Sequence, residues 1–353
     1  MPILNKNKDQ YIQRFLLKWY EKNKRELPWR NIKPNNQANA YYVLVSEFML
    51  QQTTVNTVIK RFNEFIKLWP SIDKLSRISE NRILRFWSGL GYYNRAKNLL
   101  KTIKIISRDF KSKVPQHYDQ LIELPGVGDY TAKAILGIAY NKPVMPLDAN
   151  IERILARLYG FQLPLIKIKS ELKKKSNSYI SKNSSNHLIQ AFMDYGSLIC
   201  TPRNPDCSSC LIKTKCLSYK KNLQNIIPLK VKSNLPKRKK YSRAYILYNE
   251  KNEILVRKRS SKGMLASMLE VPNDNWVINK KSLVQDKITL KIKDKMQSKG
   301  SVKYSFSHFD LETEVFFTKV KKNIFTNQKW IKKNNINKIG LPTVMKKIIK
   351  VTF

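Results

Sequence analysis

Acidic side chains are scarce in this sequence: 25 Asp and Glu face 68 Lys and Arg across 353 residues, a formal net charge of +43. A surface of that sign seeks polyanions, and nucleic acid is the first candidate. Asn and Ile are also abundant, as in an AT-rich coding sequence, so part of the lysine excess is compositional and charge alone does not settle the partner. Long apolar runs are absent too. Nothing approaches the ~18 uninterrupted apolar residues of a membrane span. The start, Met1-Pro2-Ile3-Leu4-Asn5-Lys6, lacks the apolar core and cleavage site of a secretory signal. The expectation is a soluble cytoplasmic protein with no membrane partner. Cysteine is missing everywhere except between Cys200 and Cys216, which argues against a disulfide scaffold and for a metal site. Glycine is rare, ten in all, and four of the ten stand in two G-x-G pairs, Gly89/Gly91 and Gly126/Gly128.

What is present is ordinary globular material, 42% hydrophobic, which speaks against wholesale disorder. From about Asp9 to Arg157 the pattern is helix after helix: Ile12, Phe15, Leu16 and Trp19 share one face, as do Ile151, Ile154, Leu155 and Leu158. Residues 1–217 are therefore expected to form an all-α domain. Ser218 to Lys240 holds Pro228 and Pro236, ends in Lys237-Arg238-Lys239-Lys240, and reads as a basic linker. Residues 241–353 read as a smaller α+β domain. It opens with a hairpin around Asn249–Asn252, and a second strand pair is expected near Tyr304–Phe306 and Thr313–Phe317.

The four cysteines run Cys200-x6-Cys207-x2-Cys210-x5-Cys216. Four thiolates on one short loop can surround a single metal centre, and soft sulfur suits both iron–sulfur clusters and zinc. Tetrahedral zinc usually shows two close pairs, whereas only Cys207 and Cys210 form one here, so a 4Fe–4S cluster fits better. The stretch Leu124-Pro125-Gly126-Val127-Gly128-Asp129-Tyr130-Thr131-Ala132 joins two helical patterns. Its glycines let backbone N–H groups approach an anion, and the start of the next helix adds its dipole. That reads as a helix-hairpin-helix clamp on a DNA phosphate. Glu47 is set among Val43, Leu44, Val45, Ser46, Phe48, Met49 and Leu50. Burial there raises its pKa and keeps it protonated near neutrality, as a general acid requires. Asp148 precedes a helix beginning near Asn150 and is placed to cap it. A capped carboxylate stays ionised, and an ionised Asp opposite a protonated Glu is the pairing that cleaves glycosidic bonds.

Ser46-Glu47-Phe48-Met49-Leu50-Gln51-Gln52-Thr53, Gly89-Leu90-Gly91-Tyr92-Tyr93, Leu124–Ala132, Leu147-Asp148-Ala149-Asn150 and the four-cysteine loop occur here in one order. In that order they resemble the adenine DNA glycosylases of the MutY type. The similarity is close over roughly residues 10–220 and looser over 235–315. It implies a mainly α helix-hairpin-helix glycosylase fold with an iron–sulfur loop, followed by a Nudix-like domain. It implies one 4Fe–4S cluster on the four cysteines, and as partner a duplex DNA carrying A opposite 8-oxoguanine or guanine. It also implies a monomer of bacterial, nucleoid-associated type.

By the same resemblance, Glu47 protonates adenine at N7 and later helps activate water. Asp148 stabilises the positive charge on the sugar, and Tyr130 and Asn150 support that site. Related endonuclease III-like enzymes carry a Schiff-base lysine at the position of Tyr130, and a tyrosine cannot form the imine, so simple hydrolysis is implied. Gln51 belongs to the same DNA-facing stretch, and Gln52 and Tyr92 resemble residues that wedge into the duplex. Gln190 matches an adenine-edge contact, and Arg30 lines the pocket. Leu124, Gly126, Val127 and Gly128 form the hairpin. In the Nudix-like part, Lys262–Pro272 and Phe306-Ser307-His308 carry the match, the latter as the loop that senses 8-oxoguanine. The glutamate-rich metal helix of true Nudix hydrolases is missing, so recognition and not pyrophosphate cleavage is implied. Ala149 stands where glycine is frequent, and Ala266-Ser267 where a glycine-rich pair is common. The last ~35 residues offer no match from which a role can be read. Two rivals remain: an endonuclease III-like glycosylase/lyase, disfavoured by Tyr130, and a non-catalytic or redox-sensing iron–sulfur protein, which has no use for Glu47 and Asp148 together.

Overall fold

The structure, a computed structural model, describes residues 6–30, 38–229, 236–260, 262–292, 296–321 and 329–353. By its internal contacts the chain divides into two units, one of residues 1–77 and 98–232, the other of residues 78–97 and 233–353. The division moves residues 78–97 out of the expected N-terminal domain and groups them with the C-terminal part.

The helices follow the predicted apolar faces. In chain order they are α1 (Lys6–Asn23), α2 (Ala40–Leu50), α3 (Val55–Leu68), α4 (Ile72–Ser76), α5 (Glu80–Phe86), α6 (Asn94–Asp109), α7 (Tyr118–Ile122), α8 (Asp129–Ala134), α9 (Ala149–Leu158), α10 (Leu165–Asn177), α11 (Ser185–Leu198) and α12 (Leu217–Lys220). Side-chain caps set several starts. Asn39 accepts from the Tyr41 amide at 3.0 Å, Ser71 from Lys74 and Ser79 from Arg82, each at 3.3 Å. Ile12, Leu16 and Trp19 of α1 are buried, and so are Ile151, Ile154, Leu155 and Leu158 of α9. Helix α2 is buried over most of its length, which explains why its sequence is apolar on every side.

Between α7 and α8 the chain makes the expected hairpin. The Val127 amide donates to the Leu124 carbonyl (3.0 Å), and Thr102 of α6 pins the Pro125 carbonyl (2.8 Å). Helix α8 does not run on as a regular α-helix; residues Ile135–Ala139 are π-helical and fully buried. Part of the expected linker is structured. Residues 217–220 are helical, Ile227 is 1% exposed, Leu229 bridges Pro164, and the first strand begins at Arg238. Apolar anchoring at Ile227 holds the stretch to the first unit, and the remaining part of the expected linker includes residues 230–235, outside the described residues.

The second unit contains a mixed sheet of β1 (Arg238–Tyr248), β2 (Glu253–Lys258), β3 (Leu269–Glu270), β4 (Gln297–Ser305), β5 (Phe309–Lys319) and β6 (Lys329–Lys332). Its order is β3-β2-β1-β5-β4, with β6 pairing β2. Strands β1 and β2 form the expected antiparallel hairpin, and so do β4 and β5, whose connection is Phe306-Ser307-His308. Strand β1 lies parallel to β5 and is covered on both faces. Ala244 and Ile246 face one apolar cluster, Tyr245 and Leu247 another. The first cluster is closed by α13 (Thr343–Thr352), which buries Val344, Met345, Ile348 and Ile349.

The hairpin turn supplies a test. Gly126 has φ +82°, and a Cβ there would meet Asn98 Cβ at 2.8 Å and Phe48 Cε1 at 2.9 Å. Left-handed strain and overpacking together should cost Gly126→Ala about 2 kcal/mol or more. Urea unfolding reads this directly, and an unshifted midpoint would mean that the turn relaxes.

Candidate active site

Within the first unit the predicted carboxylates are brought together. Glu47 sits on α2, 6% exposed, with Val43, Leu44, Phe48 and Met49 buried around it. Burial pushes its pKa up to about 7; the Tyr130 hydroxyl bonded to it and the Arg30 guanidinium pull the other way, while the Asp148 charge adds to the rise. Tyr130 is itself raised well above its ordinary value by burial, so it remains a neutral donor.

Asp148 caps α9 as predicted. Its Oδ1 accepts the Ile151 amide at 2.7 Å and its Oδ2 accepts Asn150 Nδ2 at 2.7 Å. Burial raises its pKa, and those two donors and the Arg153 charge oppose the rise. Asp148 thus has two hydrogen bonds and the Arg153 charge supporting its anion, whereas Glu47 has one hydroxyl and the Arg30 charge. The two acids are set apart by their surroundings.

Arg153 extends the arrangement. Its Nη2 donates to Asn150 Oδ1 (2.9 Å) and the Gly196 carbonyl (2.7 Å), and its Nε to the Cys200 carbonyl (2.8 Å). A continuous set of hydrogen bonds therefore runs from Asp148 to the cysteine loop. Arg30, in a short 3-10 turn, binds Asp194 of α11 through both terminal nitrogens (2.7 and 2.8 Å), and Arg25 adds a third contact at 2.7 Å. Asp194 is fully buried, and these cations hold its carboxyl below the usual range. Sequence reading assigned no role to Asp194, Arg25 or Arg153. The signal for Asp194 was available: like Glu47, it is a lone acid in an apolar helix, Ala191-Phe192-Met193-Asp194-Tyr195. Gln190, one turn earlier, is 3% exposed. Its Nε2 donates to the Asn186 carbonyl, and its Oε1 meets no partner among the described residues.

The DNA-facing candidates divide. Gln51 Nε2 reaches the Gly126 carbonyl at 3.4 Å, and Gln52 is exposed with φ +56°. Leu124 and Val127 are buried, 4% and 6% exposed, and the Val127 amide is used inside the turn. Those two side chains build the hairpin. In the second unit Ser307 and His308 are exposed at the β4–β5 connection, while Phe306 packs with Trp276, Tyr304 and Phe309. The Tyr92 and Ser307 hydroxyls are hydrogen-bonded to each other.

Cys200, Cys207, Cys210 and Cys216 line one cavity of about 410 Å³, counting its open mouth, together with Ile154, Leu158 and Tyr195. Arg157, 2% exposed, donates to Cys200 Sγ (3.3 Å) and to the Thr201 carbonyl (2.7 Å), and the Tyr195 hydroxyl reaches Cys210 Sγ (3.2 Å). Burial pushes the Cys216 thiol up to about 11.

The fold and this site define a class before any single family. Residues 45–180 match the family described as "HhH-GPD superfamily base excision DNA repair protein", and residues 243–351 match a NUDIX domain. A thermostable thymine-DNA glycosylase superposes with TM-score 0.55 at 24% identity, over 61% of this chain and 98% of its own. Endonuclease III bound to DNA in a trapped covalent intermediate superposes with TM-score 0.52 at 22% identity, over 63% and 100%. These two likenesses define the fold of the helical part. Full-length similarity is narrower. Adenine DNA glycosylase of Buchnera aphidicola subsp. Schizaphis graminum is 35% identical over 96% of this chain and 98% of its own length, and that of Schizosaccharomyces pombe 28% identical over 94% and 87%. The chain belongs to the adenine DNA glycosylases, enzymes of base excision DNA repair. Among the described residues no helix is long and apolar enough to cross a membrane.

The burial of Glu47 has a thermodynamic signature. Its folded pKa of about 7 lies above the ordinary 4.5, so the native state holds the proton more tightly than the unfolded chain. Stability from this group is full below pH 4.5, falls as pH rises towards 7, and then stays constant. Glu47→Gln should therefore gain about 2–3 kcal/mol on wild type between pH 5 and pH 8. Parallel urea unfolding at the two pH values measures it; equal changes for both proteins would remove the buried acid.

Proposed function

We propose that this enzyme hydrolyses the N-glycosidic bond of adenine opposite 8-oxoguanine or guanine in duplex DNA, without strand cleavage. The observation that carries the reading is the buried Glu47, with its pKa near 7, beside a capped Asp148. Protonated Glu47 gives its proton to N7 of the flipped adenine, and the C–N bonding pair leaves with the neutral base. The ionised Asp148, oriented by Asn150, stabilises the oxocarbenium-like sugar. The Glu47 carboxylate then takes a proton from the incoming water, which restores the acid. Tyr130 orients Glu47 and supplies no amine, so no Schiff base forms. The unpartnered Oε1 of Gln190 is an acceptor suited to the exocyclic amine of adenine. Gly126 and Gly128 would hold a backbone phosphate, and Gln52 and Tyr92 would enter the duplex. Exposed Ser307 and His308 offer hydrogen-bonding groups to 8-oxoguanine. The enzyme acts as a monomer on cellular DNA.

The cysteine cavity suits a 4Fe–4S cluster. Four sulfurs around one cavity match a group in which each ligates a different iron. Arg157 and the Tyr195 hydroxyl are placed to donate to the thiolates. When bound, the cluster would hold the loop in shape and bring the cysteines to their ionised form.

One gel assay tests the reaction, using a labelled duplex with a single A opposite 8-oxoguanine. Strand breakage only after hot alkali is expected. Breakage without alkali, trapped by borohydride, would mean that a lysine attacks after all. Intact DNA with binding retained would favour a non-catalytic protein. Purified protein should also be brown, absorbing near ~400 nm with about four irons per chain; an active, colourless zinc protein would refute the cluster.

A further inference from the structure

The second unit joins two stretches far apart in sequence, residues 78–97 and 233–353, and several links between them converge on one turn. A Cβ built on Gly340 would lie 3.2 Å from both Cα and N of Arg85 and 3.4 Å from the Leu84 carbonyl carbon. Backbone therefore rests directly on backbone at the end of α5, an approach only glycine allows without displacement. The next residue, Leu341, accepts a hydrogen bond from Ser88 Oγ at 3.4 Å, and Lys346 Nζ donates to the same oxygen at 3.3 Å. Past the turn, Lys97 Nζ donates to the Ala266 carbonyl. Between Ser88 and Lys97 stands Gly89–Tyr92. Tyr92 has φ +47° and a side chain left largely in the open, with the residue 45% exposed, and its hydroxyl meets that of Ser307.

A tyrosine in the left-handed region is strained and persists only where its surroundings enforce it. Arg95 does part of this, donating to the Leu90 and Gly91 carbonyls at 3.0 and 3.2 Å. At the entrance to the turn, Leu341 and Lys346 add contacts to Ser88, in a region for which the family resemblance supplied no role.

We propose that Gly340, Leu341 and Lys346 form a clasp on Arg85 and Ser88 that positions Tyr92 against Ser307, and so sets how strongly the enzyme prefers adenine opposite 8-oxoguanine to adenine opposite guanine. The proposal rests on the 8-oxoguanine reading given above. The clasp residues act through the turn and touch no reacting atom, so their effect belongs to discrimination between opposite bases and not to adenine release in general.

Single-turnover adenine release from A:8-oxoguanine and A:guanine duplexes, taken as a ratio, is the measurement. Ser88→Ala and Gly340→Val should each lower the ratio about fivefold, a change of ~1 kcal/mol. Ser88→Thr, which keeps the hydroxyl, should restore it. In a Tyr92→Phe background neither change should lower the ratio further, because the hydroxyl pair is already gone. If Gly340→Val does not fold, Ser88→Ala carries the test. A wild-type ratio well above one that survives both substitutions overturns the clasp, as does an equal loss on both duplexes or full additivity with Tyr92→Phe. A wild-type ratio near one removes the 8-oxoguanine reading itself.

Discussion

Taking a carboxyl group out of water is tolerable only if it keeps its proton or finds compensating donors, and the first unit arranges both solutions side by side. Glu47 is buried on a helix made almost wholly of apolar residues, and that burial raises its pKa to about 7. Asp148 is placed at a helix start, where an amide and an amide side chain accommodate its charge.

The support for Asp148 does not stop at its first partners. Asn150 holds it, Arg153 holds Asn150, and the Cys200 carbonyl holds Arg153. Arg157, one helical turn further, is buried and spends its donors on Cys200 Sγ and on carbonyls of the cysteine loop and Ile227. The same helix thus caps itself through Asp148 and ties down the sulfur-bearing loop with its basic residues. Four cysteines close in sequence become four sulfurs around one cavity because α9 gives their loop a rigid floor.

Much of this was legible in the residues. Glu47 betrayed itself as an acid without polar neighbours, Asp148 as a cap, the hairpin by its glycines and the strand pairs by their alternation. What escaped was set by contacts between distant segments. Asp194 gave the same local signal as Glu47, but its meaning depends on Arg25 and Arg30, more than 160 positions away. Leu124 and Val127 lie in a DNA-binding motif, yet packing turns them inward. The stretch Val344-Met345-Lys346-Lys347-Ile348-Ile349 carries a plain amphipathic stripe, and only the sheet it covers shows that this stripe is core. The grouping of residues 78–97 with the C-terminal part left no local mark at all, because contacts separated by some 250 positions have no period.

That grouping has a consequence for how the chain is made. Strands β1 and β5 pair residues about seventy positions apart, and α13 closes their core only after both strands have been synthesised. Residues 78–97 emerge from the ribosome early and find their partners in Leu341 and Lys346 late. Such long-range closure is slow, and strand edges stay open while it is pending. The helical unit can mature during translation around this excursion, whereas the segment bearing Tyr92 must wait for Leu341 and α13 to be made.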